Sequence, residues 1–183
     1  NGRNINLRCG STSPELIQAT VSGVLADVGI AFDGDGDRLV MVDHLGRIAD
    51  GDQLLYVIAS DRKRAGTLQG PVVGTVMSNL GLEQKLQAEG VEFLRAKVGD
   101  RYVLAMLKEH GGVLGGETSG HLLCLDRTTT GDGLVSALEV LAVMKRTGRP
   151  LAELVAGMPK FPQVMINVRV RERIDPSQSQ VIQ

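Results

Sequence analysis

Short apolar runs bounded by glycine or polar clusters alternate along this chain with stretches whose apolar residues recur every three to four positions. The first pattern marks buried strands and the second amphipathic helices. Residues 12–27 carry the helical pattern, with Leu16, Ile17, Thr20, Val21, Val24 and Leu25 on one face. Ser13 is placed to cap that helix, with Pro14 at its first position and Glu15 in its first turn. Strands are predicted at 28–32 and 39–43, then a turn at 44–47 and a short edge strand at 48–49. A helix over 52–63 follows, with Leu54, Leu55, Val57 and Ile58 as its core face.

The second half repeats the alternation. Strand 72–76 leads to helix 79–89, with Ser78 as its cap, Leu80, Leu82 and Leu86 inward, and Gly90 closing it. Strand 91–96 leads to helix 101–110, with Tyr102, Val103, Met106 and Leu107 inward. Strands at 113–117 and 121–125 precede helix 132–147, whose Leu134, Val135, Leu138, Leu141 and Ala142 form the predicted core face. A short helix runs from Pro150 to about 157, Pro159 and Pro162 mark a linker, and 163–171 reads as a last strand.

The order β-α-β-α-β-β-α over 72–147 predicts an α/β fold with a mixed, partly parallel sheet flanked by helices. A boundary is placed near residues 50–52, giving segments 1–50, 51–158 and 159–183. The chain opens Asn1-Gly2-Arg3-Asn4 without Met and ends on a polar stretch, so we expect it to be the middle of a longer protein.

Composition narrows the function. The 183 residues carry a formal net charge of −1, which gives no electrostatic case for nucleic acid or an anionic membrane. Aromatic residues make up 3% and Trp is absent, leaving few platforms for stacking bases. No apolar run reaches the 18 residues of a membrane span. Cys9 and Cys124 lie far apart with no CxxC spacing, and read as free thiols of a reducing, cytoplasmic compartment.

The chemistry is concentrated in Asp33-Gly34-Asp35-Gly36-Asp37-Arg38, between two apolar strands. Carboxylates this close resist ionising together, and a hard divalent cation relieves them. An EF-hand loop would need Gly at its sixth position and Glu at its twelfth; counting from Asp33 these are Arg38 and His44, so that reading fails. The alternatives left are a divalent-cation site and a solvated acidic turn. Arg38 beside a metal loop would suit a phosphate, which guanidinium binds in a bidentate fork.

A second candidate is Gly115-Gly116-Glu117-Thr118-Ser119-Gly120-His121. Glu, Ser and His match a hydrolase triad by type, but nucleophile and base two residues apart in one strand-to-strand turn lack the strand-turn-helix setting of a nucleophile elbow. A polyol-binding loop fits better, since Glu accepts from hydroxyls and Ser and His donate or accept. A glycine-rich hairpin with a structural His is the plain alternative. Lys97-Val98-Gly99-Asp100-Arg101 offers two cations at a helix start, as an anion site or as a capping Asp with solvated bases. Thr128-Thr129-Thr130-Gly131-Asp132-Gly133 and Ser78-Asn79 read as helix caps before ligand contacts. His110 suits a helix C-terminus and His44 a turn.

The acidic loop 33–38, the Gly-Asp-Arg-Tyr-Val run 99–103, the loop 116–121 and the Thr-Thr-Thr-Gly-Asp-Gly run 128–133 resemble, in order and spacing, the α-D-phosphohexomutase family. The resemblance covers essentially the whole chain. It implies a four-domain enzyme, with 1–50 ending the second domain, 51–158 forming the third, and 159–183 being a linker and the first strand of the fourth. It implies Mg²⁺ held by Asp33, Asp35 and Asp37 with a phosphoserine as a further ligand. Arg38 would steady phosphate, Glu117 and Ser119 would contact sugar hydroxyls with His121 beside them, and Lys97 and Arg101 would serve in substrate contact or proton transfer. The runs at 99–103 and 128–133 favour the branch that interconverts glucosamine 6-phosphate and glucosamine 1-phosphate through a sugar bisphosphate, over the phosphomannomutase/phosphoglucomutase branch. Thr118 departs from both, where the first more often has Gln or Asn and the second often Met. No serine here sits in the family's phosphoserine setting, so the chain by itself is expected to be inactive. The expected partners are a sugar phosphate and the first and fourth domains of the same protein. A homodimer of the full-length protein stays open. A non-catalytic binding module for Mg²⁺ and sugar phosphate, and a metal-dependent phosphatase, are the other readings.

Overall fold

The computed structural model describes residues 2–164, 166 and 169. Its first unit is helix α1 (Glu15–Val24) on an antiparallel sheet of β1 (Val28–Phe32), β2 (Leu39–Asp43) and β3 (Ile48–Ala49). Phe32 pairs with Leu39, which makes residues 33–38 the hairpin connection between β1 and β2. Helix α2 (Gly51–Arg64) follows at once. Asp50 starts it with a reciprocal capping box: its carboxylate accepts from the Gln53 N–H at 3.1 Å, and Gln53 Oε1 accepts from the Asp50 N–H at 3.3 Å.

The second sheet comprises β4 (Val72–Thr75), β5 (Phe93–Ala96), β6 (Leu114–Gly116) and β7 (Leu122–Cys124), in the order β5-β4-β6-β7. The first three strands in that order are parallel, and β7 returns antiparallel beside β6. Helix α3 (Leu80–Ala88) connects β4 to β5, and α4 (Asp100–His110) connects β5 to β6. Helices α5 (Gly133–Thr147) and α6 (Leu151–Val155) complete the described elements. The sheet is therefore mixed, partly parallel and flanked by helices, an α/β arrangement as predicted.

Two cores hold these layers. Val73, Ala96, Val103, Leu107 and Leu123 pack between the sheet and α4. The larger core joins α2, α3, α5 and α6 to the other side, and includes Leu39 and Met41 of the first sheet beside Leu54, Ile58, Val72, Leu114 and Leu122. The chain runs from β4 to β5 on one side, then crosses to β6 on the other, so the strand order reverses at β4. Loops 76–79 and 117–121 open beside that reversal, where open α/β sheets place their ligands. No helix of the described residues is long and apolar enough to cross a membrane.

Several sequence expectations are corrected. The first helix spans only Glu15–Val24, and Leu25 turns left-handed at φ 55° to end it. Ser13 makes no cap; its hydroxyl donates to Glu15 Oε2 at 2.7 Å. Leu16 and Val24 are exposed, and Val21 carries the burial. Asn79, not Ser78, caps α3, accepting from Gly81 N–H at 3.0 Å, while Ser78 Oγ accepts from Thr75 N–H. Leu80 and Tyr102, predicted inward, are exposed.

The largest correction is α5. Leu134 and Leu138 face out, while Gly133, Ser136, Ala137, Val140 and Val143 face in. The close approach of its first turn to the acidic hairpin sets this rotation. Gly133 N–H donates to Gly36 O at 2.9 Å, and a Cβ on Gly133 would lie 2.8 Å from both Gly36 O and Phe32. Gly133 must face inward, and the helical period then turns Leu134 and Leu138 away. The strand expected at 163–171 falls largely on residues outside the described set.

Candidate functional site

The acidic hairpin is folded by its own backbone. Asp33 N–H donates to Arg38 O, Gly36 N–H to Asp33 O, and Arg38 N–H to Asp33 Oδ1 at 3.1 Å. Gly36 takes φ 75°, a left-handed turn position that glycine adopts without Cβ strain. One carboxylate oxygen from each of Asp33, Asp35 and Asp37 lies within 4.8 Å of the other two. An octahedral Mg²⁺ at about 2.1 Å sets ligand oxygens about 3 Å apart in cis and about 4.2 Å in trans. Burial above all raises the Asp37 carboxyl from its ordinary range, with Asp33 and Asp35 pushing the same way and His121 opposing them. Asp37 Oδ1 is buried with no hydrogen-bond partner. Mutual repulsion plus an orphaned carboxylate oxygen is what a divalent cation would relieve, so the three aspartates fit Mg²⁺. The Arg38 guanidinium is about half exposed and 3.9 Å from Asp33, leaving donors directed to solvent.

The turn 117–121 is fastened directly to this hairpin. Arg38 and His121 form an isolated antiparallel bridge, and Leu39 N–H donates to Gly120 O at 3.1 Å. His121 Nδ1 lies 3.1 Å from Asp37 Oδ2. The imidazole is almost fully buried, its Nε2 has no partner, and a Cβ on Gly131 would run into the ring. The structure thus places His121 against the acidic loop rather than at the open tip of the turn.

Glu117 reaches the third loop: its Oε1 accepts from Gly99 N–H at 2.9 Å. Ser119 is exposed at the tip. Lys97 and Arg101 are exposed on either side of Gly99, with their cations 5.9 Å and 4.6 Å from the Tyr102 ring centroid. Arg101 also donates to Tyr102 Oη at 2.7 Å. The fold therefore brings 33–38 beside 117–121, and 97–101 beside Glu117. His110 stands at the end of α4, away from these loops in the chain order, and His44 sits in the turn before β3. Asp132 caps α5 by accepting from Val135 N–H at 2.9 Å. Cys9 and Cys124 are both free, and burial pushes the Cys124 thiol up to about 11, which leaves it unreactive.

One residue of this region was missed from the sequence. Asp52, in the first turn of α2, is fully buried and accepts from Thr118 Oγ1 and from Asn79 N–H, both at 2.8 Å. A carboxylate in a helix's first turn reads as a dipole contact. Nothing local says that it faces inward.

Residues 50–161 match the family model described as phosphoglucomutase/phosphomannomutase, alpha/beta/alpha domain III. The phosphoglucosamine mutase of Alkalilimnicola ehrlichii is 63% identical over 169 residues, covering 92% of this chain and 38% of that protein. The phosphoglucosamine mutase of Methylococcus capsulatus is 58% identical over 182 residues, covering 100% of this chain and 41% of that one. The chain thus spans about two fifths of the length of these relatives. Among solved structures, a phosphoglucomutase/phosphomannomutase family protein from Burkholderia thailandensis superposes with a TM-score of 0.74 at 30% identity, over 82% of this chain and 32% of its own. The Aspergillus fumigatus N-acetylphosphoglucosamine mutase, solved with GlcNAc-6P and magnesium, gives a TM-score of 0.74 at 20% identity, over 94% of this chain and 44% of that one; this likeness speaks for the fold alone. The chain belongs to the phosphoglucomutase/phosphomannomutase family, and its residues 50–161 match that family's third domain.

Proposed function

We propose that this chain is the central part of a phosphosugar mutase that interconverts glucosamine 6-phosphate and glucosamine 1-phosphate. The observation that carries the reading is the junction of two loops some 80 residues apart. The Arg38–His121 bridge and the Asp37–His121 contact join an acidic cation site to a turn that presents Glu117 and Ser119. The glucosamine preference rests on relatives at 58–63% identity that are phosphoglucosamine mutases.

Asp33, Asp35 and Asp37 would hold Mg²⁺, which offsets charge on the transferring phosphoryl group when bound. Arg38 has exposed donors beside that position and suits a phosphate oxygen. Glu117, anchored by Gly99 N–H through one oxygen, keeps the other for a sugar hydroxyl, and Ser119 at the tip adds a second polar contact. His121, buried against Asp37, orients that carboxylate. Lys97 and Arg101 flank the Glu117 side as cations for the substrate phosphate or for proton transfer. In this reading a phosphoserine outside these 183 residues gives its phosphoryl group to the sugar. A bisphosphate forms and reorients, and the other phosphate returns to serine. The division at 50–51 and at 158–159, a cytoplasmic setting, and inactivity of these 183 residues by themselves belong to the same proposal.

The test is the mutase activity of the longer protein containing this chain, with glucosamine, glucose and mannose phosphates compared. We expect the highest kcat/KM for glucosamine 6-phosphate, and at least a hundredfold loss in Glu117→Ala, the scale of lost substrate positioning. A tenfold preference for glucose or mannose phosphate would move the protein to the other branch. Turnover by the 183 residues at the full-length rate would refute the claim of inactivity.

A further inference from the structure

The turn 117–121 is held by more than its own hydrogen bonds. Its underside rests on the first turn of α2. Gly51 N–H donates to Thr118 O at 3.1 Å, and a Cβ on Gly51 would strike Glu117 O and lie 2.7 Å from Gly120 N. The next residue supplies the anchor. Asp52 Oδ2 accepts at 2.8 Å from the Thr118 hydroxyl and at 2.8 Å from the Asn79 N–H that opens α3. Asp52 thus ties together the loops that leave β4 and β6, on either side of the strand-order reversal.

Asp52 is fully buried, and its other oxygen, Oδ1, has no partner. A buried carboxylate with an orphaned oxygen is costly, and such a cost persists where it fixes something else. Thr118 lies between Glu117 and Ser119, so holding its hydroxyl fixes the direction in which both neighbours point. Within this turn the Thr118 hydroxyl is drawn to Asp52 while Ser119 stays exposed.

We propose that Asp52 and the Thr118 hydroxyl form a positioning pair that sets the sugar-contacting turn on α2, and so govern sugar-phosphate affinity without touching the sugar. This rests on the reading of 117–121 as the sugar loop. Both donors converge on one oxygen, so the pair needs an acceptor at that point, not a negative charge. Asn at 52 supplies the same acceptor through its amide oxygen, whereas Ala does not. Burial and the neighbouring Asp50 also raise the Asp52 carboxyl, consistent with a position that gains little from ionisation.

The experiment uses the full-length protein and four variants: Asp52→Ala, Asp52→Asn, Thr118→Val and Thr118→Ser. Two readouts are taken, amide hydrogen exchange across 117–121 without substrate, and the KM and kcat for glucosamine 6-phosphate. In Asp52→Ala and Thr118→Val we expect exchange at 117–121 to rise about tenfold, the scale of one lost buried hydrogen bond. Exchange at Val73 and Leu114 in the sheet stays as in wild type. KM rises by a similar factor while kcat changes less. Asp52→Asn and Thr118→Ser recover both readouts to within about threefold, and the double variant Asp52→Ala/Thr118→Val is no worse than either single one. Unchanged exchange and KM in Asp52→Ala and Thr118→Val overturn the proposal, as does an Asp52→Asn protein as impaired as Asp52→Ala. Absence of mutase turnover in wild type defeats the functional reading instead, and the exchange pattern still decides the positioning pair.

Discussion

Replacing Gly51 with alanine pits the sequence against the tertiary structure. Gly51 is the first residue of α2, and alanine is favoured over glycine in a helix by about 1 kcal/mol. On helix propensity alone Gly51→Ala stabilises. The structure reverses the sign. A Cβ at 51 would collide with the Glu117 carbonyl oxygen and sit 2.7 Å from Gly120 N and 2.9 Å from Gly120 Cα. These are backbone atoms, so no side-chain rotation relieves them. Gly120 N would have to retreat by about 0.7 Å, from 2.7 Å to the 3.4 Å at which ordinary Cβ contact begins. The turn cannot retreat freely, because Leu39 N–H and Gly51 N–H both hold its carbonyls at 3.1 Å. Overpacking of this kind costs about 1–3 kcal/mol, which the helix gain only partly offsets. A net loss of about 1 kcal/mol lowers Tm by about 2–4 °C in a chain of this size. Displacing the turn should also cut kcat/KM of the longer protein about a hundredfold, the effect of misplacing a binding group by about 1 Å. Thermal unfolding and steady-state assays of Gly51→Ala check both numbers. A Tm equal to or above wild type with unchanged kcat/KM would show that the turn does not rest on α2 as described.

Gly131→Ala should drive the His121 ring off Asp37, because a Cβ there would meet Cε1 and Nε2; Mg²⁺ affinity by calorimetry is expected to fall, and unaltered affinity would count against His121 as the orienting group. Titration of the 183 residues with Mg²⁺ is expected to give binding weaker than micromolar, since the phosphoserine proposed as a further ligand would lie outside them, and a micromolar or tighter constant would contradict this. Asp52 has its carboxyl raised by burial, so the folded state holds that proton more tightly than the unfolded chain does. Its ionisation therefore costs stability above its folded pKa, and the cost disappears as pH falls through that raised pKa toward the ordinary carboxylate range. Asp52→Asn should accordingly be at least as stable as wild type in urea at neutral pH, with the advantage shrinking on acidification; an advantage that grows on acidification would refute the sign.

Local pattern was enough for the element order and the loops. Alternating short apolar runs and helical periods placed β1, β2 and β3 at the observed residues, and the order from β4 to α5 without omission, because each buried face leaves its period in the chain. Crowded aspartates marked 33–38, and glycines around Glu117, Ser119 and His121 marked 115–121, because close carboxylates and a permissive backbone are each visible in a few consecutive letters.

Which face of a helix turns inward, and which polar group is shared between distant loops, depended on contacts between residues far apart in sequence. On α5, leucines at 134 and 138 satisfied the helical period as well as the true face did, and the fit of Gly133 against Gly36 and Phe32 chose between them. Asp52 looked like any acidic residue in a first helical turn until the fold placed Thr118 and Asn79 over it. His121 read as part of a sugar loop, yet its ring closes on Asp37, 84 residues back along the chain. The sequence by itself determined which residue types could bind a cation and a polyol. Only the tertiary structure decided that these loops lie against each other, because a hydrogen bond across such a separation leaves no periodic trace in the residues that make it.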